Sequence, residues 1–129
     1  METRTNFNTD KVVRTNLVFP QAVMAGNLLF LSGTTGVNPT TGKVSTDNFE
    51  DQARQAFNNL KTILEEAGSC MANVVKTTIF MVGGADPDFS SINKVYKEFF
   101  LEEPPARSAP QVMPFPSGIL ISIECIALV

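Results

Sequence analysis

The stretch DNFEDQARQAFNNLKTILEEAGSCMANVVKTTIFMV, residues 47–82, changes its hydrophobic period partway along, and that change decides the fold class. Phe49, Ala53, Ala56, Phe57, Leu60, Ile63, Leu64 and Ala67 recur at three- and four-residue spacings, which gathers them into one apolar stripe of an α-helix. Asp47 or Asn48 can cap its start, and Gly68 suits the left-handed position just past its end. Over residues 73–82 the period shortens to two. Val75, Thr77, Ile79 and Met81 are expected on one face of a strand, with Val74, Lys76, Thr78 and Phe80 on the other.

The same reading extends in both directions. Gly83-Gly84 ends the strand, and Asp86 or Asp88 can cap a second helix with the stripe Phe89, Ile92, Val95, Tyr96 and Phe99, which Pro104-Pro105 stops. Residues 106–113 read as a strand and residues 114–118 as a loop. The final segment, residues 119–129, alternates Ile119, Ile121, Ile123, Cys125, Ala127 and Val129 with Leu120, Ser122, Glu124, Ile126 and Leu128. Upstream of the first helix, residues 17–23 and 27–32 are expected as two strands split by Ala25-Gly26, and residues 38–42, NPTTG, as a turn. Residues 1–16 are polar and read as an irregular N-terminal arm, leaving residues 17–129 as a single domain. The order β-β-α-β-α-β-β predicts an α+β fold, a mixed β-sheet with two helices packed on one face. Two helices leave the second, apolar face of the sheet open, which predicts burial against another subunit.

Composition narrows the chemistry. The 129 residues, 43% hydrophobic and 18% charged, contain no histidine, which removes Ser-His-Asp and Cys-His triads and the commonest metal ligand. Two cysteines, Cys70 and Cys125, are too few and too far apart for a zinc or iron-sulfur site, so neither metal nor cofactor is expected. The N-terminus has no apolar leader and no run is long enough to span a bilayer, so a reducing, cytoplasmic setting without a membrane partner is the expectation. A net charge of −3 with ten dispersed Lys and Arg offers no basic face for nucleic acid.

Against that background two charged residues invite a role. Arg107, in Pro104-Pro105-Ala106-Arg107-Ser108, sits where a rigid double proline enters a strand, and its planar fork matches a carboxylate while keeping its charge at any working pH. The competing reading is a surface arginine or an ion pair with Glu124. Glu124 is the one charge in an otherwise apolar strand, so it is either paired with a cation or kept for chemistry. The phenylalanines of the helix stripes and Cys125 read as core. Gly33 and Gly36 fit no phosphate loop and instead permit a close backbone approach to a ligand or a neighbouring chain.

Arg107 also belongs to a series of short motifs: QAV at 21–23, GN at 26–27, LSG at 31–33, NPTTG at 38–42, QARQA at 52–56, NLK at 59–61, VKTT at 75–78, PARS at 105–108 and ECIA at 124–127. In this order and spacing the chain resembles the RidA/YjgF family of enamine/imine deaminases, once labelled L-PSP endoribonucleases. The resemblance implies a chorismate-mutase-like fold and a homotrimer whose sheets form a central barrel with ligand clefts between subunits. It further implies that Arg107 grips the carboxylate of an imino or enamino acid of the 2-aminoacrylate type while water attacks the imine carbon, giving a 2-keto acid and ammonia. Substrate-binding positions carried over are Phe19, Gly33, Asn93, Ala109 and Pro116, and catalytic ones Arg107, Glu124 and Ser122.

Three positions depart from the family pattern. Ser122 stands where the first glutamate of a strand E-x-E motif is common, so Glu124 would activate water directly or through Ser122. Phe19 replaces a tyrosine, and Pro110 interrupts a strand, implying an edge or bulge. The alternatives are a non-catalytic binder of small carboxylates and an RNA-cleaving protein, the latter opposed by the acidic balance and the missing histidine.

Overall fold

The helical period of residues 47–68 is realised as α1, Phe49–Glu66, in a computed structural model that describes residues 3–14 and 17–129. Asn48 caps it, its Oδ1 accepting the Asp51 N–H at 2.9 Å, and Glu50 and Asp51 complement the positive end of the helix dipole. At the far end Gly68 takes φ +90°, the left-handed turn foreseen for it. Seven stripe residues, Phe49 to Leu64, are buried, with Ala67 at the margin.

The strands are β1, Arg4–Phe7; β2, Ala22–Ala25; β3, Leu28–Thr35; β4, Val74–Val82; β5, Ala106–Ser108; β6, Gln111–Val112; and β7, Ile121–Leu128. The second helix, α2, is Ser90–Phe99. All seven strands join one mixed sheet in the order β1-β2-β3-β7-β4-β5, with β6 also on β4. Its β5 and β6 pairings with β4 are parallel and the others antiparallel. Both helices pack on one face, over Leu29, Leu31, Ile79, Met81, Ile121, Ile123 and Cys125, as the element order predicts. The other face presents Phe30, Val75 and Leu128, each at least 40% exposed in the single chain. Among the described residues no helix is long and apolar enough to cross a membrane.

Four local features differ from the sequence expectation. The N-terminal segment contributes a strand and a core residue, because β1 pairs along β2 and Val12 is 5% exposed, where irregular chain was expected. β2 starts at Ala22 rather than at residue 17, and Leu17 and Val18 lie exposed outside the sheet. A bulge in β4 between Val74 and Lys76 inverts the first step of the alternation: Val74 is buried and Val75 faces out, since two β4 residues there span one β7 residue. The strand expected at 106–113 is split at Ala109-Pro110, because proline has no N–H to give the ladder. β5 and β6 nevertheless keep the same register on β4, and the Pro110 carbonyl accepts from the Met81 N–H, so the proline interrupts an edge without shifting it.

What locks α1 onto the sheet is polar. Gln52, 1% exposed, donates from Nε2 to the carbonyls of Thr46 (2.8 Å) and Gly118 (2.9 Å) and accepts the Leu120 N–H at Oε1 (2.9 Å). One turn or two further on, Asn59 donates to the carbonyls of Thr35 and Val37. These bonds bring the backbone of α1 against the exit of β3, where a Cβ added to Gly36 would fall 2.4 Å from the Gln52 carbonyl oxygen. Gly36 therefore admits a helix backbone, not a ligand. Gly36→Ala is expected to cost about 1–3 kcal/mol by overpacking against immobile backbone, seen as a lower urea midpoint with unchanged slope.

Cys125 lies in the core facing the helices, and burial, with the Glu124 charge adding, pushes its thiol up from an ordinary 9.0 to about 12. Folded and unfolded chains both keep the proton below 9. Above it the unfolded chain ionises while the folded one does not, so the contribution is lost as pH rises toward 12. Cys125→Ala is expected to flatten the loss of unfolding free energy between about pH 8 and about pH 11, measured by urea titration at each pH.

Candidate functional site

Arg107 enters the structure through its strand register. β5 runs parallel to β4 with Arg107 aligned on Thr77, and Thr77 is fully buried on the helix-covered face. Cross-strand partners share a face, so the Arg107 side chain is directed to the α2 side. There its Nη1 donates to Asn93 Oδ1 at 2.8 Å, and its Cζ lies 5.0 Å from the centroid of the Tyr96 ring. The Tyr96 hydroxyl is fixed in turn by Thr77 Oγ1 at 2.9 Å, and its ring packs against Phe57 and Phe100. Burial raises the tyrosine's pKa, with the Thr77 bond and the Arg107 charge opposing, so the ring under the guanidinium is a neutral phenol. Among the described residues no carboxylate pairs with Arg107. A guanidinium oriented in this way and without an acid partner can receive a carboxylate.

α2 supplies both supports because its start is anchored. The Asp86 carboxylate, buried, accepts the N–H groups of Ser91 and Ile92, and Phe89 takes φ +62°, unusual for so large a residue. That turn places Asn93 and Tyr96 one helical step apart, beneath β5. Ala109, half-buried, follows directly where β5 breaks.

A second group forms where β3 meets β7. The register slips between Leu31 and Thr34, and a Cβ on Gly33 would sit 2.6 Å from Ser122 Oγ, so the missing side chain is what leaves room for that hydroxyl. Phe19 shares a cavity of about 40 Å³ with Gly33, Ser32, Thr34 and Thr35. Ser32 ties this wall to the preceding turn by donating from Oγ to the Pro20 carbonyl. Glu124, two residues beyond Ser122, is exposed and lines a separate hollow of about 230 Å³ with Phe30, Lys76 and Thr78. Pro116 is exposed at the first position of the 3-10 turn Pro116–Gly118.

Within one chain these groups do not converge. Arg107 aligns with Thr77 and Glu124 with Thr78, and neighbouring residues of one strand point to opposite faces. The ion pair considered between Arg107 and Glu124 therefore does not form. Sequence reasoning also missed Tyr96, which it assigned to the core stripe. The available signal was that the chain's one tyrosine carries a hydroxyl that must find a partner when buried. Removing Asn93 Oδ1 frees the guanidinium to swing, so Asn93→Ala is expected to weaken binding of 2-oxobutanoate about tenfold by calorimetry, the worth of one charge-assisted hydrogen bond.

A family model described as Endoribonuclease L-PSP matches residues 7–129. The chain is 38% identical over 111 residues to the 2-iminobutanoate/2-iminopropanoate deaminase of Homo sapiens, covering 85% of this chain and 79% of that one. Its fold is similar to that of RidA from an Antarctic Psychrobacter, with a TM-score of 0.89 and 34% identity over 97% of this chain and 99% of the other. Escherichia coli TdcF with bound serine gives a TM-score of 0.87 and 32% identity, over 97% and 98% of the two chains.

Proposed function

The chain belongs to the endoribonuclease L-PSP family, the family of RidA and YjgF, and on that premise we propose that it hydrolyses reactive enamine and imine intermediates of the 2-aminoacrylate type to 2-keto acids and ammonia. The observation that carries this reading is the Arg107 guanidinium, held by Asn93 and Tyr96 and matched by no acid among the described residues. A 2-imino acid presents its carboxylate one bond from the carbon to be attacked. Two parallel hydrogen bonds from Arg107 would fix that carbon's position and turn a solution encounter into an oriented one.

The remaining chemistry is addition of water. Water bonds to C2 of the protonated imine and loses a proton to a base, giving a carbinolamine. The amine nitrogen then gains a proton and the hydroxyl gives one up; as oxygen forms a double bond to C2, the C–N bond breaks and nitrogen leaves with the bonding pair as ammonia. Glu124 supplies the base, directly or through Ser122, which shares its strand face. A serine hydroxyl alone can hold water but not deprotonate it near neutral pH. Phe19 offers a ring without a hydroxyl, leaving orientation to Arg107.

Arg107 and Glu124 lie on opposite faces of one sheet, so the complete site takes Arg107, Asn93 and Ala109 from one subunit and Glu124, Ser122, Gly33 and Phe19 from a neighbour. A homotrimer with three such clefts accounts for the open face bearing Phe30, Val75 and Leu128. Pro116 completes the cleft rim. A cytoplasmic setting, a small-molecule partner and no nucleic-acid partner complete the proposal.

The test generates 2-iminobutanoate with an amino-acid oxidase and follows its capture by semicarbazide. Micromolar protein is expected to lower the semicarbazone yield, Arg107→Ala to abolish the effect and Ser122→Glu to increase it. Full semicarbazone yield with wild-type protein overturns hydrolysis. If Arg107-dependent binding of 2-oxobutanoate persists in that case, the chain is a binder of small carboxylates.

A further inference from the structure

Arg14 lines the same cavity as Phe19 and Gly33, and no carboxylate among the described residues neutralises it. Its Nη2 donates to the Phe19 carbonyl at 2.9 Å, which holds the guanidinium against the cavity wall. Its Nε is buried and has no hydrogen-bond partner among the described residues. The ion pairs of those residues engage Lys11, Arg54 and Lys94 as cations, never Arg14, and no acidic residue lines the cavity. A half-buried guanidinium without an anion is unusual, since charge removed from water is ordinarily paired.

Among the other polar side chains of the lining, the Thr35 hydroxyl is a neutral group and the rest are already engaged. Ser32 Oγ and Thr34 Oγ1 donate to backbone carbonyls, and the Gln21 amide accepts from Thr9 N–H and donates to the Val12 carbonyl. An arriving acceptor would therefore find its charged donor in Arg14. The cavity's volume of about 40 Å³ is several times the roughly 10–15 Å³ that one water requires, enough for a carboxylate.

We propose that Arg14 is a specificity-determining residue, a second cationic contact that selects imino acids carrying a carboxylate on the side chain, with Arg107 holding the carboxylate next to the imine. The inference rests on the deaminase reading above and adds the substrate class: an imino dicarboxylate. Arg14 adjoins Phe19, Gly33 and, through Gly33, Ser122, so the distal carboxylate would be held on the side of the cleft that supplies the water. A merely structural Arg14, tying residues 14 and 19 together, would have no preference to confer.

The measurement compares two imines in the semicarbazide assay, iminosuccinate made from L-aspartate and 2-iminopropanoate made from alanine, each by its amino-acid oxidase. Wild-type protein is expected to favour iminosuccinate at least tenfold in kcat/KM, about the worth of one charge-assisted hydrogen bond. Arg14→Gln is expected to cut that ratio by a similar factor, and Arg14→Lys, which keeps the charge without the fork, to retain an intermediate ratio. An equal ratio in wild type and Arg14→Gln overturns the inference, as does an equal loss on both imines, while leaving the deaminase reading intact. Acceleration of neither imine overturns both. Should Arg14→Gln fail to fold, competition in wild type decides: oxaloacetate is expected to inhibit at least tenfold more tightly than 2-oxobutanoate, and equal inhibition constants sink the proposal.

Discussion

The buried carboxamide of Gln52 is the constraint on which the rest of the structure hangs. Its three bonds tie α1 to the segment leading into it and to the turn leading into β7, two pieces of chain far apart in sequence. Nothing apolar could substitute, because each bond satisfies a backbone group that would otherwise be stranded in the core. The contact works only if the exit of β3 comes within touching distance of the helix backbone, which is why residue 36 is glycine. The start of β7 is thereby set against α1, and with it the positions of Ser122 and Glu124 relative to Gly33.

From that frame the site inherits a division into halves. Thr77 and Thr78 are adjacent on β4, yet one points into the core toward Tyr96 and the other out toward Glu124. Strand pleating hands Arg107 to the first side and Glu124 to the second. Placed on opposite faces, the two charges do not neutralise each other within one chain. In the proposed site it is a neighbouring subunit that would bring them together.

Charge is distributed accordingly. On the outer surface of the helices, Arg54 and Lys94 engage Glu50 and Glu98, and their proximity holds both carboxyls below the usual carboxylate range. Those pairs are exposed and satisfied, with little stability at stake. Arg107 and Arg14, both near candidate ligand positions, have no acidic partner among the described residues. Several exposed cations are unpaired too, so what sets these two guanidiniums apart is that they are half-buried and held by neutral groups, Asn93 and Tyr96 for Arg107 and the Phe19 carbonyl for Arg14.

Much of this was legible in the chain itself. Period alone placed α1 with its Asn48 cap and Gly68 stop, the inward face of β7, and the stripe of α2, because these elements satisfy their patterns locally. Arg107 stood out through its prolines, and the motif series supplied the family. What local pattern could not decide was anything set by a partner strand or a distant backbone. The β4 bulge that turns Val74 inward, the strand pairing that recruits residues 4–7, and the support of Arg107 by Tyr96 all depend on register between segments remote in sequence. For the same reason Gly36 read as room for a ligand or a neighbouring chain until α1 was seen to occupy the space, and Arg14 read as part of a polar arm until the fold brought it beside Phe19 and Gly33. Sequence determined which residues are candidates for chemistry and the buried face of the elements whose pattern is local, α1, α2 and β7. Tertiary structure decided which of those residues meet, since side-chain proximity across a sheet is a property of register and pleat that no single strand contains.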